Sequence, residues 1–161
     1  MTFSPNEVAT AYHEAGHTVM ALALGRPVHR VTVRPNQLRL GQCELKNGTI
    51  RPSKDVLETE VLILLGGLAA EARLSGDYDW GAAAKDLRAV RSLTRTRAET
   101  PSRIERLERR LLDKAEHLLD RPGLWQAVER IAAELLRATT LSGRAARHLF
   151  DEATKRAADD R

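Results

Sequence analysis

The stretch AYHEAGHTVMALAL, residues 11–24, carries two histidines, a glutamate and a glycine within one predicted helix. Ser4 and Glu7 have the spacing of a capping box, and Pro5 suits the first helical position. Gly25 is the type of residue that ends a helix. The sequence therefore predicts a helix that begins at Pro5, ends before Gly25 and carries both histidines.

The pattern His13-Glu14-Ala15-Gly16-His17 is typical of a zinc site. Residues four apart project from one helix face about one turn apart, so the two imidazoles can share a tetrahedral ion. Glu14 is turned by about 100° from His13, where its carboxylate reaches a water molecule without binding the ion. Zinc activates water for hydrolysis, with amide hydrolysis the commonest use. The motif predicts Zn²⁺ bound by His13 and His17, with Glu14 as general base.

The alternative is a surface helix whose histidines are merely polar. Two features count against it. The motif continues directly into the apolar run TVMALAL, and Gly16 stands where a helix favours alanine by about 1 kcal/mol.

A zinc site of this kind needs a third protein ligand. Met20 and Ala23 exclude the extended pattern HExxHxxGxxH. His29 lies beyond the end of the helix and is expected to lie on a strand. The lone Cys43 is expected to be a small core residue. The remaining candidates are acidic, and spacing alone does not choose among them: Glu58, Glu60, Glu71, Asp77, Asp79 and Asp86.

Length and composition predict one domain, or one domain with a compact appendage. The chain has 161 residues, 42% of them apolar, which suffices for a core without disulfides. A single cysteine excludes an intramolecular disulfide and a Cys-rich zinc module. No signal peptide is recognisable, and the apolar runs are shorter than the ~20 residues of a membrane span. We therefore expect a cytoplasmic protein without a membrane span.

The net charge of +4 raises the question of nucleic acid binding. The basic residues concentrate in RSLTRTRAETPSRIERLERR, residues 91–110, where glutamates are interleaved and aromatic residues are absent. This mixture indicates a solvated helix face, and no nucleic acid partner is expected.

Elsewhere the pattern predicts a small sheet followed by helices. Apolar and polar residues alternate in VHRVTVRP (28–35) and LRLGQCEL (38–45), which predicts two antiparallel strands. The second strand is a candidate for pairing with an extended substrate. A mostly apolar helix follows from Asp55, then helices over residues 82–96, 101–120, 124–139 and 142–157. Gly66 and Gly67 lie inside this apolar helix, where glycine is unfavourable. We therefore expect them to allow close contact with the helix that carries His13 and His17, with Gly16 and Gly67 facing each other where the two helices cross.

Five segments, in this order, resemble the peptidase domain of the FtsH-type AAA zinc proteases. They are AYHEAGHTVMALAL, PVHRVTVRP, LLGGLAAEARLSG, WGAAAKDLRAVRSL and LLRATTLSG. The resemblance implies a mostly α-helical zincin fold with a small β-sheet near the N-terminus and a helical C-terminal half. It also implies one domain over 1–161, made of a metal-site subdomain (1–97) and a helical C-terminal subdomain (98–161).

The resemblance also implies the roles of individual residues. His13 and His17 correspond to zinc ligands and Glu14 to the catalytic base. The family's third ligand is an aspartate at the start of a later helix, in a segment that aligns with GAAAKDL and so implies Asp86. This chain has one more residue between glycine and aspartate, which keeps Asp79 as the runner-up. Asp77 is expected to be a loop acid, and Glu71 a charge paired near the central helix.

The departures from the family concern its other domains. The 161 residues contain no GxxxxGK(S/T) phosphate-binding loop and no membrane span. The prediction is a zinc metalloendopeptidase without its own ATPase, which acts on flexible polypeptides or relies on a separate ATPase or adaptor. The family forms hexameric rings, and homo-oligomerisation of this chain stays open. The alternative is a catalytically idle peptidase-like domain that serves as a binding or assembly module, for which Glu14 would have no chemical use.

Overall fold

The computed structural model describes residues 2–34, 42–45 and 55–160. Within these ranges it is mostly α-helical with one small sheet, as predicted. The elements are α1 (Pro5–Ala23), β1 (Val28–Thr32), β2 (Gln42–Leu45), α2 (Val56–Ser75), α3 (Ala84–Thr94), α4 (Pro101–Leu119), α5 (Leu124–Ala138), β3 (Thr140–Ser142) and α6 (Gly143–Asp159).

The predicted capping box fixes the start of α1. The Ser4 side chain accepts a hydrogen bond from the Glu7 backbone N–H at 3.1 Å, and the Glu7 carboxylate accepts one from the Ser4 N–H at 3.0 Å. The helix ends where Gly25 adopts a φ of 84°, a left-handed conformation that glycine tolerates. Both predicted ends are confirmed, and the histidines lie in the middle of a well-capped helix.

The sheet has three strands in the order β2-β1-β3, all antiparallel. The β1–β2 pair was predicted, but β3 was not, because residues 140 and 141 were left as the connection between two predicted helices and Ser142 was assigned as the cap of the second. Ser142 is indeed the N-cap of α6, since its side chain accepts from the Ala145 N–H. Of the predicted second strand, residues 38–41 lie outside the described ranges, and β2 forms one edge of the sheet.

α1 and α2 cross in close contact through glycines. A Cβ built on Gly16 would lie 2.3 Å from the backbone oxygen of Gly66, and one on Gly66 would lie 2.8 Å from the backbone oxygen of Gly16. The prediction that Gly16 pairs with Gly67 is therefore wrong by one residue. Consecutive helical residues differ by about 100° in direction, so Gly66 faces the α1 backbone while Gly67 faces the two imidazoles.

Gly16→Ala is expected to destabilise the protein although alanine favours helices. Overpacking against a backbone atom costs up to about 3 kcal/mol, and the propensity gain returns about 1 kcal/mol. We expect the free energy of unfolding to fall by about 2 kcal/mol and the melting temperature by about 4–8 °C. Thermal and urea denaturation measure both quantities.

Gly81→Ala is the matched control. A Cβ on Gly81 meets only the Asp79 Oδ1 atom at 3.6 Å, an ordinary contact. Its effect should stay within about 0.5 kcal/mol. Equal melting temperatures for the two variants would contradict the close crossing.

The core is continuous from the histidine helix to the C-terminal helices. The buried apolar side chains include Val19 on α1, Leu65 on α2, Leu111 on α4 and Ile131 on α5. The separation into subdomains at residue 97 stays a prediction. None of the helices in the described ranges combines the length and apolar character that a membrane crossing requires.

Candidate metal centre

Three side chains converge where α1, α2 and α3 meet. The Nε2 atoms of His13 and His17 lie 3.0 Å apart. Asp86, in the first turn of α3, places its Oδ2 atom 2.9 Å from the His13 Nε2 and 3.1 Å from the His17 Nε2. The structure therefore brings the two histidines of the motif together with the aspartate chosen by resemblance.

The spacing of these atoms fits the ligands of a tetrahedral ion. A zinc ion with ligand bonds of about 2.0–2.1 Å separates its ligand atoms by about 3.3 Å. The three observed separations, 2.9, 3.0 and 3.1 Å, are slightly shorter and nearly equal. Two imidazole nitrogens and one carboxylate oxygen are also a donor set that zinc accepts.

Hydrogen bonds at the other ring nitrogens indicate which tautomers are present. The Nδ1–H of His17 donates to the backbone oxygen of Ile63 at 2.7 Å, and the Nδ1–H of His13 donates to Glu71 Oε2 at 2.7 Å. A neutral imidazole protonated at Nδ1 has only a lone pair at Nε2. In that tautomer two lone pairs and a carboxylate oxygen face one another, an arrangement that a cation between them, either a metal ion or a proton, stabilises.

Gly67 makes room for this convergence. A Cβ built on Gly67 would lie 2.6 Å from the Nε2 atoms of both His13 and His17. No larger residue fits at this position without displacing the imidazoles from their hydrogen bonds. The glycine pair in α2 therefore serves two contacts, the backbone crossing at Gly66 and the donor atoms at Gly67.

Glu14 is adjacent to the three converging atoms but is not one of them. Its side chain is buried, with 4% exposed, and one carboxylate oxygen lies within 4.8 Å of the histidine donor atoms. A buried carboxylate at this distance is close enough to take a proton from a water molecule at the site.

The site attracts positive charge even without a metal ion. Burial lowers the pKa of His13, but hydrogen bonds to Asp86 and Glu71 and the nearby charge of Glu14 outweigh it and raise the pKa to about 10. Burial raises the pKa of Asp86, but hydrogen bonds from His13 and His17 more than reverse this and hold the pKa well below its usual range. In the metal-free protein a proton takes the place of the cation.

This proton predicts how the stability of the metal-free protein depends on pH. His13 has an ordinary pKa of 6.5 and a folded pKa of about 10, so its stabilising contribution is complete below pH 6.5 and is lost as pH rises through 10. With a chelator present, the free energy of unfolding measured by urea denaturation should fall steadily from pH 6.5 to pH 9.

Asp86→Asn supplies the control for this pH dependence. The substitution removes the charged partner that makes the largest upward contribution to the His13 pKa. The variant should lose less stability over the same pH interval. A wild-type curve that is flat between pH 6.5 and pH 9 would contradict the assignment.

The other candidate ligands lie elsewhere and have other partners. Asp79, the runner-up, is exposed and its Oδ1 accepts from the Ala82 N–H at 3.0 Å, which caps the turn before α3. Glu58 pairs with Lys114 and Glu60 with Arg26. Asp77 and His29 are exposed, Asp77 in the loop after α2 and His29 on β1. The side chain of Cys43 lies outside the described residues.

Glu71 is a side chain whose contact with the site was not predicted. Its side chain is buried, with 9% exposed, and it accepts a hydrogen bond from the imidazole of His13. An acid within the apolar run VLILLGGLAAEA is unusual, and this was the signal available in the sequence. Glu71 was expected to pair with a charge within or near the central helix. In the structure its partner is His13 of the motif on α1.

Glu71→Gln is expected to weaken metal binding. A carboxylate that accepts from a metal-bound imidazole fixes its orientation and raises its basicity, and loss of such a partner costs about 10- to 100-fold in metal affinity. Competition with a zinc-binding dye measures the dissociation constant. Glu116→Gln is the control, because Glu116 lies on α4 and makes no hydrogen bond to His13 or His17 within the described ranges. Equal affinities for both variants would contradict a role for Glu71.

Comparisons with known proteins identify relatives of the chain. A sequence model of peptidase family M41 matches residues 2–100. The ATP-dependent zinc metalloprotease FtsH of Acidimicrobium ferrooxidans is 32% identical over 153 residues, which cover 91% of this chain and 21% of that protein. FtsH 4 of Sorangium cellulosum is 35% identical over 91 residues, covering 53% of this chain and 14% of the relative. The FtsH of Magnetococcus marinus is 44% identical over 78 residues, which cover 45% of this chain and 11% of the relative.

The chain thus spans about a fifth or less of the length of these curated relatives. The family match includes both histidines and Asp86.

Proposed function

The chain belongs to peptidase family M41, and on that premise we propose that it is a zinc-dependent metallopeptidase that hydrolyses peptide bonds in flexible polypeptides. One observation carries this proposal: the convergence of the His13, His17 and Asp86 donor atoms at separations of 2.9–3.1 Å. The relatives named as zinc metalloproteases support zinc as the ion.

Each residue of the site has a role in this proposal. His13, His17 and Asp86 hold the zinc ion, which when bound polarises the substrate carbonyl and lowers the pKa of water toward about 7. Glu14 accepts the proton of the attacking water and delivers it to the amine that leaves. Glu71 and the Ile63 carbonyl orient the two imidazoles through their Nδ1–H groups.

The proposed substrate is a polypeptide that is already flexible. The relatives are named ATP-dependent, whereas these 161 residues carry no GxxxxGK(S/T) loop, so ATP-driven unfolding is not a property of these residues. Structured substrates would need unfolding by an ATPase outside these residues. The idle-module alternative gains no support from the described part of the chain, because Glu14 is retained and buried beside the site.

Casein hydrolysis with and without metal tests this function. The purified protein should cleave casein, lose this activity after treatment with a chelator, and regain it when zinc is added back. Activity that persists after complete removal of metal would overturn the zinc mechanism. A protein with one zinc ion bound and no cleavage of casein or unstructured peptides would overturn the peptidase.

A further inference from the structure

Two aromatic side chains are exposed just before α3. Trp80 is 51% exposed and Tyr78 36% exposed, and their rings stack with centroids 4.9 Å apart. Among the described residues, large exposed apolar side chains are few, and these two are the aromatic ones. Adjacent exposed aromatic rings are typical of surfaces that bind a partner.

The aromatic pair directly precedes a hydrogen-bonded turn that leads into α3. The turn between Asp79 and Ala84 has a side-chain cap to the Ala82 N–H and a backbone bond from the Ala84 N–H to the Gly81 oxygen at 3.2 Å. Ala83, within this turn, is fully buried. Tyr78 and Trp80 therefore lie at the N-terminal end of α3, the end that carries Asp86.

The exposed face of α3, the helix that follows this turn, carries positive charge. Lys85 and Arg88 on α3 and Arg95, the C-cap residue that follows it, are all exposed, and their spacing of three and seven residues places them along one helix face. Within the described ranges none of the three has an ion-pair partner. They extend over ten residues, about 15 Å of helix.

Carboxylates are the anions that the neighbouring cations already bind. Arg91, on the same helix, makes two hydrogen bonds of 2.8 Å to the carboxylate of Glu108, and Arg97 pairs with Asp55. An extended polypeptide spans 15 Å in about five residues, so acidic side chains along it can reach all three unpaired cations.

We propose that Tyr78, Trp80, Lys85, Arg88 and Arg95 form a docking surface, here called the α3 surface, for an acidic segment of the substrate polypeptide that also carries an apolar side chain. The three cations bind the acidic residues of this segment, and the stacked rings contact its apolar side chain. This inference rests on the proposed function, since it identifies the class of polypeptide that the peptidase prefers.

The expected effect of the cations is moderate. Exposed ion pairs are individually weak and are screened by salt, so three together are expected to change affinity by about tenfold at low ionic strength. The preference for acidic peptides should therefore shrink as salt is added. The aromatic contribution depends much less on salt, because burial of apolar surface is not a charge interaction.

Binding of labelled peptides to a Glu14→Gln protein tests the surface without relying on hydrolysis. Two peptides of equal length are compared by fluorescence anisotropy, one with acidic residues beside a leucine and one with glutamines in their place. The acidic peptide should bind about tenfold more tightly. The triple variant Lys85→Gln, Arg88→Gln, Arg95→Gln should abolish this difference, and Trp80→Ala should weaken binding of both peptides.

The matched control removes three cations from another helix. Arg103, Arg106 and Arg110 on α4 are also exposed and have no ion-pair partner in the described ranges, and their replacement by glutamine changes the net charge equally. This variant should keep the preference for the acidic peptide. Equal losses in both triple variants would overturn the α3 surface, because total charge would then explain the result. Zinc content and melting temperature are measured for each variant.

Two further readouts separate the possible outcomes. If the wild-type protein hydrolyses no peptide but the triple variant still loses acidic-peptide binding, the proposed function fails and the docking surface stands. If hydrolysis occurs without any preference for the acidic peptide, the docking surface fails and the proposed function stands. A single-stranded oligonucleotide that displaces the acidic peptide at lower concentration than an unlabelled acidic peptide would overturn the assignment to polypeptide.

Discussion

Glu14→Gln is expected to lower kcat/KM for an unstructured peptide by about 10²- to 10⁴-fold, the usual contribution of a general base. Glutamine has nearly the same size and cannot accept the proton of the attacking water. The carboxylate lies close to the histidine donor atoms without being one of the three that converge. Zinc content should therefore stay at the wild-type level while hydrolysis is lost.

The comparison requires metal analysis and kinetics on the same preparations. Glu7→Gln is a suitable control, since Glu7 lies on the same helix and its carboxylate accepts the Ser4 N–H in the capping box. That variant should lose some stability but no specific activity. Wild-type activity in Glu14→Gln would contradict the role of Glu14 as general base.

Asp86→Ala is expected to lower zinc affinity by more than about 100-fold and to abolish hydrolysis with it. Loss of a group that only orients a ligand costs about 10- to 100-fold, and loss of a ligand removes more. Asp86 is also the only described carboxylate whose oxygen lies within hydrogen-bond distance of both Nε2 atoms. Competition with a zinc-binding dye gives the affinity, and peptide cleavage gives the activity.

Asp79→Ala is the matched control for the third ligand. Asp79 is seven residues upstream, and its carboxylate caps the turn before α3. This variant should keep zinc and most of its activity, with a loss of stability of about 1 kcal/mol typical of a lost cap. If Asp79→Ala loses zinc and Asp86→Ala retains it, the assignment of the third ligand is wrong.

The parts of the site that the sequence predicts are those set by local geometry. A spacing of four residues on a capped helix places His13 and His17 on one face, whatever the rest of the chain does. The third donor comes from a residue 73 positions after His13, so no spacing rule reaches it. Only the resemblance to the FtsH-type family favoured Asp86, and the geometry now supports it.

The parts that were not predicted depend on tertiary contacts. The three residues of β3 form a strand because β1 lies beside them, since three residues contain too little pattern to be recognised alone. Whether Gly66 or Gly67 meets Gly16 depends on a helix rotation of about 100°, which sequence periodicity does not resolve. Glu71 was recognised as a paired charge, but its partner on another helix was not.

Anomalous diffraction from crystals of the zinc-loaded protein, measured on both sides of the zinc absorption edge, locates the bound ion and identifies its ligands. The expected result is a single strong anomalous peak about 2.0–2.2 Å from His13 Nε2, His17 Nε2 and an oxygen of Asp86. Glu14 should lie near the peak without being bound to it. A peak bound to Asp79, or no peak at the histidines in zinc-loaded crystals, would show that His13, His17 and Asp86 do not form the zinc site.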